Sequence, residues 1–285
     1  MDSLTGKRAV WGSFILLLPA LAFPRTPSSH DAKQSLFSQS AAPILERHYA
    51  TPETSYLLLD ANSGAVLASH WDHYEKPIPM GSLVKPFTAL AYADAHAFGY
   101  PVYECKGKAG GCWQEQPHGK LDLAAAISVS CNAYFRQMAD RVSREQVLPV
   151  ARSFGIEDPD GDSTTSNLIG LGEAWRISPI HMARAYLELF RRRNQPGVSP
   201  ILEGMRLSAV RGTGAAVDRQ LEHAAALVKT GTAVCTHSPR APADGFVLVL
   251  VPRDEPEIVL LMRVHGVVGA TAAESAGQAL HQMQE

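Results

Sequence analysis

The chain has 285 residues, of which 46% are hydrophobic and 19% charged, enough to bury one sizeable core and short for two large domains. Its 26 lysines and arginines nearly balance 28 acidic residues, for a net charge of −2, and the basic residues are dispersed along the chain. That balance argues against nucleic acid or another polyanion as the partner, because such partners need a concentrated basic face.

At the N-terminus, Lys7 and Arg8 precede an apolar run from Ala9 to Phe23, and Ala20-Leu21-Ala22 offers small residues for cleavage. Residues 1–23 therefore read as an export signal, either cleaved or retained as an anchor. The apolar run of about 15 residues falls short of the ~20 that span a bilayer, which favours cleavage. The expected location is periplasmic or otherwise extracytoplasmic. Residues 24–42, rich in serine, proline and charge from Pro24 to Gln39, read as a linker, and residues 43–285 as one catalytic domain.

Two apolar runs, Ser55–Asp60 and Gly64–Ser69, are separated by Ala61-Asn62-Ser63 and read as a β-hairpin. From Ser82 to about Val150 the apolar spacing becomes helical, and Ser178-Pro179 opens a further helix with a capping residue and a proline whose missing N–H costs nothing there. Strands return at Ala226–Val234, Phe246–Val251 and Ile258–Val264, followed by an alanine-rich helix from about Ala270 to Met283. Strands, helices, strands and a final helix argue for an antiparallel sheet built from both ends of the chain, with a helical region inserted between its halves.

Cys105 and Cys112 bracket the glycine-rich loop Lys106–Gly111, which is flexible enough to close a disulfide. The competing metal reading adds His118 but lacks a fourth donor and tight spacing, so no metal or other cofactor is expected. Cys131 and Cys235 are not paired by any sequence signal.

Three short motifs carry the chemistry: Ser82-Leu83-Val84-Lys85, Ser130-Cys131-Asn132 and Lys229-Thr230-Gly231. A serine hydroxyl of ordinary pKa is a poor nucleophile, and a lysine three residues on lies one helical turn away, within reach of its proton. Burial and a second cation such as Lys229 would both discharge Lys85 enough to act as a base. Ser82 is expected to open a helix, where free N–H groups favour developing negative charge. Ser130 can relay a proton to a departing amine, and the Asn132 amide can grip a substrate peptide bond. In a strand, Lys229 and Gly231 share one face while Thr230 and Thr232 share the other. Gly231 leaves room for a substrate backbone, the hydroxyls and the ammonium suit a carboxylate, and the N–H groups of Ser82 and Thr232 can form an oxyanion hole.

At these residues the chain resembles the transpeptidase domain of penicillin-binding proteins, over about Ser55 to Gly266. Met80-Gly81-Ser82-Leu83-Val84-Lys85-Pro86 stands where Pro-Gly-Ser-Thr-Phe-Lys-Pro is usual. His118-Gly119 through Ser130-Cys131-Asn132-Ala133-Tyr134-Phe135 matches the second block, and Gly170-Leu171-Gly172 before Ser178-Pro179 the third helical signature. Gly212-Thr213-Gly214 and then Val228–Ala233 complete the pattern. Leu83-Val84 departs from it, as does Asp244-Gly245-Phe246, which lacks the family's frequent tryptophan.

The resemblance implies a β-lactamase/transpeptidase-like α/β/α fold: a five-stranded antiparallel sheet flanked by helices, with an all-helical lobe inserted. It implies Ser82 as acylated nucleophile, Lys85 as general base, Ser130 as proton relay, and Asn132, Lys229, Thr230, Gly231 and Thr232 on the substrate side. The implied activity is a serine D,D-transpeptidase or D,D-carboxypeptidase acting on D-Ala-D-Ala stem peptides of peptidoglycan, and acylated by penicillin and other β-lactams. The large extra domain of big members is missing, so the unit either stands alone or works with a separate wall-synthesis partner. Two alternatives stay open, a serine β-lactamase and a non-catalytic β-lactam sensor or scaffold. No Glu-x-x-Leu-Asn segment lies between the second and third motifs, and Glu173 is the sole acid beside a glycine-rich turn there.

Overall fold

The structure is a computed structural model that describes residues 41–159, 164–222, 224–236 and 241–284. The export signal at 1–23 and the linker up to residue 40 lie outside the described residues. Residues 41 and 42, read as the end of the linker, already belong to a helix (α1, residues 41–49) whose Ala41 and Leu45 are fully buried.

Two strands follow, β1 (Thr54–Asp60) and β2 (Val66–His70), then the short β3 (Ile78–Pro79) and helix α2 (Lys85–Ala95). The lobe comprises β4 (Tyr103–Cys105), β5 (Gly119–Leu121), α3 (Leu123–Ser128), α4 (Asn132–Ala139), α5 (Arg144–Ser153), α6 (Thr165–Leu168), β6 (Arg176–Ile177), α7 (Pro179–Arg191), α8 (Ser199–Arg211) and α9 (Ala215–Asp218). The chain returns to the sheet with β7 (Leu227–Ala233), β8 (Asp244–Val251) and β9 (Ile258–His265), and α10 (Gly269–Gln282) follows.

The main sheet has five strands in the order β2-β1-β9-β8-β7, and every neighbouring pair is antiparallel. Both faces are covered, so the strands read as nearly continuous apolar runs, and alternation decides which layer each residue joins. Leu57, Leu59, Phe246, Leu248, Val259 and Leu261 face the core shared with α2, α4 and α7. Tyr56, Leu58, Val247, Val249, Leu260 and Met262 face the core shared with α1 and α10. The α/β/α order is therefore a direct result of period-two patterning in strands buried on both sides.

Two local expectations are corrected. Residues 103–121 are not part of a helical run: Tyr103 pairs with Leu121 and Cys105 with Gly119 in a small hairpin, β4–β5. Ser178 does stand at the N-cap of α7, but its hydroxyl makes no capping bond. It donates instead to Glu157 Oε1 at 2.7 Å, which ties α7 to the segment that follows α5. Among the described residues, no helix is long and apolar enough to cross a membrane.

Helix α10 lies on β8 through small residues, with Ala272, Ala273, Ala276 and Ala279 fully buried. At Gly277 an added Cβ would sit 2.7 Å from the Ala216 carbonyl oxygen of α9. Helix propensity alone favours Gly→Ala by about 1 kcal/mol, whereas an overpacked contact costs about 1–3 kcal/mol. Gly277→Ala should therefore lower stability, read as a drop in the urea midpoint, against the propensity expectation of a rise.

Candidate active site

Ser82 lies in a 3-10 turn, Gly81–Val84, that runs directly into α2. It thus precedes the α-helix by one turn rather than opening it, while Lys85 begins α2 with Pro86 behind it. Tyr186 of α7 donates to the Leu83 carbonyl oxygen at 2.8 Å and holds the turn from below. The turn is also wedged between two backbones. Gly81 has φ +58°, and a side chain there would run into the Thr232 carbonyl; Gly170, at φ +76°, in turn meets the Gly81 carbonyl. Only glycine fits such left-handed positions at this approach.

The open side of Gly231 is expected to receive a substrate backbone. The structure fills it: a Cβ on Gly231 would lie 2.5 Å from the Met80 carbonyl oxygen and 3.1 Å from Leu83 Cγ. The missing side chain lets the Ser82 turn seat against β7, although Gly231 still contributes to the cleft wall.

Lys85 has no exposed surface. Its Nζ donates to the Ser130 carbonyl oxygen at 2.9 Å, to Asn132 Oδ1 at 2.7 Å and, at 3.5 Å, to Ser130 Oγ. It also stands 5.3 Å from the centre of the Phe135 ring. Lys229, equally buried, donates from Nζ to Ser130 Oγ at 2.9 Å and to the Thr230 carbonyl oxygen at 2.6 Å. Ser130 bridges the two lysines and holds φ +50°, a strained backbone for a residue with a side chain. Burial lowers Lys85 to about 7, with Arg136 pushing the same way and Cys131 and Cys112 opposing. Burial also lowers Lys229 well below the usual lysine range, helped by the charge of Lys85. The pair therefore holds fewer than two protons at neutral pH.

On the other face of β7, Thr230 and Thr213 share a hydroxyl hydrogen bond at 2.6 Å, and Thr232 Oγ1 accepts from the Gly269 N–H at 2.9 Å. A cleft of about 340 Å³ opens above these groups, lined by Ser82, Ser130, Asn132, Thr230, Gly231 and Thr232, with Trp113, Leu171, Thr213 and residues 268–270 around them. Lys85 and Lys229 lie beneath its floor. All eight residues proposed for the site thus converge. Trp113, Leu171 and Thr213 join the lining as well; Leu171 and Thr213 fall within the family-like segments of the sequence, and Trp113 has no signal there. Among the described residues, no carboxylate lines the cleft. Glu173 is half-exposed and pairs with Arg176 at 3.3 Å.

This sheet order, with the cleft between the edge strand and a helical lobe, places the protein in the β-lactamase-like class of folds. The family model for the penicillin binding protein transpeptidase domain matches residues 54–283, and the chain belongs to that family. It is 25% identical to the peptidoglycan D,D-transpeptidase MrdA of Haemophilus influenzae over 163 residues, covering 44% of this chain and 25% of that protein. The chain thus spans a quarter of that relative's length. In fold it is similar to PBP2 of Pseudomonas aeruginosa solved with WCK 5153, with TM-score 0.67, 16% identity, and coverage of 89% of this chain and 77% of that one. It is similar also to the transpeptidase domain of Burkholderia pseudomallei penicillin-binding protein 3, with TM-score 0.63, 17% identity, and coverage of 91% and 97%. PBP2 of Helicobacter pylori, solved in a complex with MreC, gives TM-score 0.67 at 15% identity over 87% of this chain and 62% of that one.

The buried lysine has a thermodynamic signature. Unfolded, Lys85 titrates near 10.4, and folded at about 7, so between these values the unfolded state binds the extra proton. Stability should therefore rise with pH across that window and be lost as pH falls through about 7. Urea unfolding from pH 7 to 9.5 should show a steeper rise for wild type than for Lys85→Met, by up to about 1.4 kcal/mol per pH unit.

Proposed function

We propose that the chain is a peptidoglycan D,D-transpeptidase that forms an acyl-enzyme on Ser82 with D-Ala-D-Ala stem peptides, and that β-lactams acylate the same serine. The observation that carries this reading is the bridge Lys85–Ser130–Lys229 buried under a cleft that Ser82 lines.

An arriving carboxylate favours the ammonium on Lys229, beside the Thr230 and Thr232 hydroxyls, and by repulsion leaves Lys85 as the neutral amine. Neutral Lys85 takes the proton of the Ser82 hydroxyl as its oxygen attacks the scissile carbonyl. In the free enzyme Lys85 is held by Ser130 and Asn132, a resting arrangement that substrate rearranges. The oxyanion meets the N–H groups of Ser82 and Thr232, whose backbones the contact at Gly81 keeps adjacent. Ser130, linked to both lysines, passes the proton to the departing D-alanine amine. Asn132 grips the stem-peptide amide. An amine then takes the acyl group in transpeptidation, and water takes it in the carboxypeptidase branch.

A β-lactamase needs a group that activates water against the adduct, and the described cleft offers no carboxylate for it. The acyl-enzyme with penicillin is therefore long-lived. Residues 1–23 would deliver the domain outside the cytoplasm. A structural neighbour was solved with MreC, and by analogy we assign this domain a separate wall-synthesis partner.

Fluorescent penicillin should label wild type in a band that persists through a chase with unlabelled drug, and should leave Ser82→Ala unlabelled. Rapid loss of label with nitrocefin turnover would support the lactamase instead. The acylation rate should fall about tenfold per pH unit below about 7, where Lys85 protonates. With a D-Ala-D-Ala pentapeptide, release of D-alanine should accompany transfer to an added amine, and absence of any release would sink the reading.

A further inference from the structure

One cation near the cleft has no part in the acylation steps. Arg136 of α4 follows Asn132 by one helical turn, and its neighbour Phe135 places its ring 5.3 Å from Lys85 Nζ. The Arg136 side chain touches two other segments. Its Nη1 donates to Ser166 Oγ of α6 at 2.9 Å. Its stem lies against Gly111, where an added Cβ would stand 3.4 Å from Cδ and 3.6 Å from Nε. Both segments lead into the cleft wall. Trp113 comes two residues after Gly111, and the Leu171 N–H donates to the Ser166 carbonyl oxygen at 2.8 Å; Trp113 and Leu171 both line the cleft.

The charge of Arg136 is as unusual as its position. Its Nε is buried without a hydrogen-bond partner, and among the described residues no carboxylate forms an ion pair with it. An unpaired buried donor and a cation without a counter-charge both cost stability. A brace alone does not need that cost, because a neutral amide also donates to a hydroxyl. What the guanidinium adds is a positive charge that never titrates in a protein.

We propose that Arg136 is a positioning residue for the acylation of Ser82, a cationic strut that braces the Trp113 segment against the Leu171 segment and keeps a fixed charge near the Lys85–Ser130–Lys229 bridge. Burial is the main force that discharges Lys85; Cys131 and Cys112 oppose it, and Arg136 adds to it. Lys229 and Lys85 repel one another across Ser130 as well, so Arg136 is a third cation acting on one small volume. Unlike the lysines, it cannot relieve that repulsion by losing a proton. The proton therefore leaves from a lysine.

The test follows acylation of the full chain by fluorescent penicillin across pH and across drug concentration, and in this it rests on the proposed function. Arg136→Gln removes the charge, and the midpoint of its pH–rate profile should move up by at least about half a pH unit, so that acylation at pH 6 falls about threefold. Arg136→Lys keeps the charge and should return the midpoint to within about 0.2 of wild type. Ser166→Ala breaks the brace and leaves the charge: the half-saturating drug concentration should rise at least about threefold with the midpoint unmoved. An unmoved midpoint in Arg136→Gln, or no recovery in Arg136→Lys, overturns the fixed charge. An unchanged half-saturation in Ser166→Ala overturns the brace. If Arg136→Gln fails to fold, Arg136→Met takes its place, and the Ser166→Ala result stands without either. Wild type that penicillin does not acylate sinks the proposed function and leaves a second readout of Lys85. In urea unfolding, the pH at which stability begins to rise should be higher in Arg136→Gln than in wild type by the same half unit, and an identical onset overturns the fixed charge.

Discussion

Two lysine side chains without exposed surface share one serine hydroxyl, and the rest of the structure is arranged around the cost of that placement. Moving an ammonium out of water is expensive unless it is paired or loses its proton. Among the described residues, neither lysine donates to a carboxylate; the acceptors are two carbonyl oxygens, an amide oxygen and the Ser130 hydroxyl. Such acceptors tolerate either charge state, so the pair is poised to shed a proton near neutrality. Two lysines that would be fully protonated in water are thereby left partly discharged.

Holding that arrangement requires backbone contacts closer than side chains allow. The turn that carries Ser82 is gripped between the Thr232 carbonyl on one side and Gly170 on the other, and Met80 rests on Gly231. Three glycines from distant parts of the chain thereby set the distance between the Ser82 turn and the edge strand. β7 ends the order of the described strands, so no further strand pairs with its outer edge. The lobe supplies the remaining wall through Ser130, Asn132 and Trp113.

The lobe is also where local patterning is least informative. Its hairpin β4–β5 has three residues per strand, too short for alternation to register, and the loop between them is glycine-rich. Its order depends on what the loop residues meet: Gly107 against the backbone at Glu115, and Cys112 against His118 and Cys131. Cys131 meets Cys112 in space although the two positions are 19 apart in sequence, a distance that no local pattern spans. Ser178 makes the same point for capping, since a hydroxyl at the right position chose Glu157 over its own helix.

Much else was legible in the chain alone. Continuous apolar runs located β1, β7, β8 and β9 to within about two residues because these strands are buried on both faces over most of their length. The facing of Lys229 and Gly231 followed from the strand repeat, which holds whatever the surroundings. What only the tertiary structure decided was the electrical state of the lysines, the use of Gly231 by the protein's own turn, and the meeting of three cysteines with His118. Each depends on burial and on groups far apart in sequence, and neither desolvation nor a through-space distance is written in a local pattern.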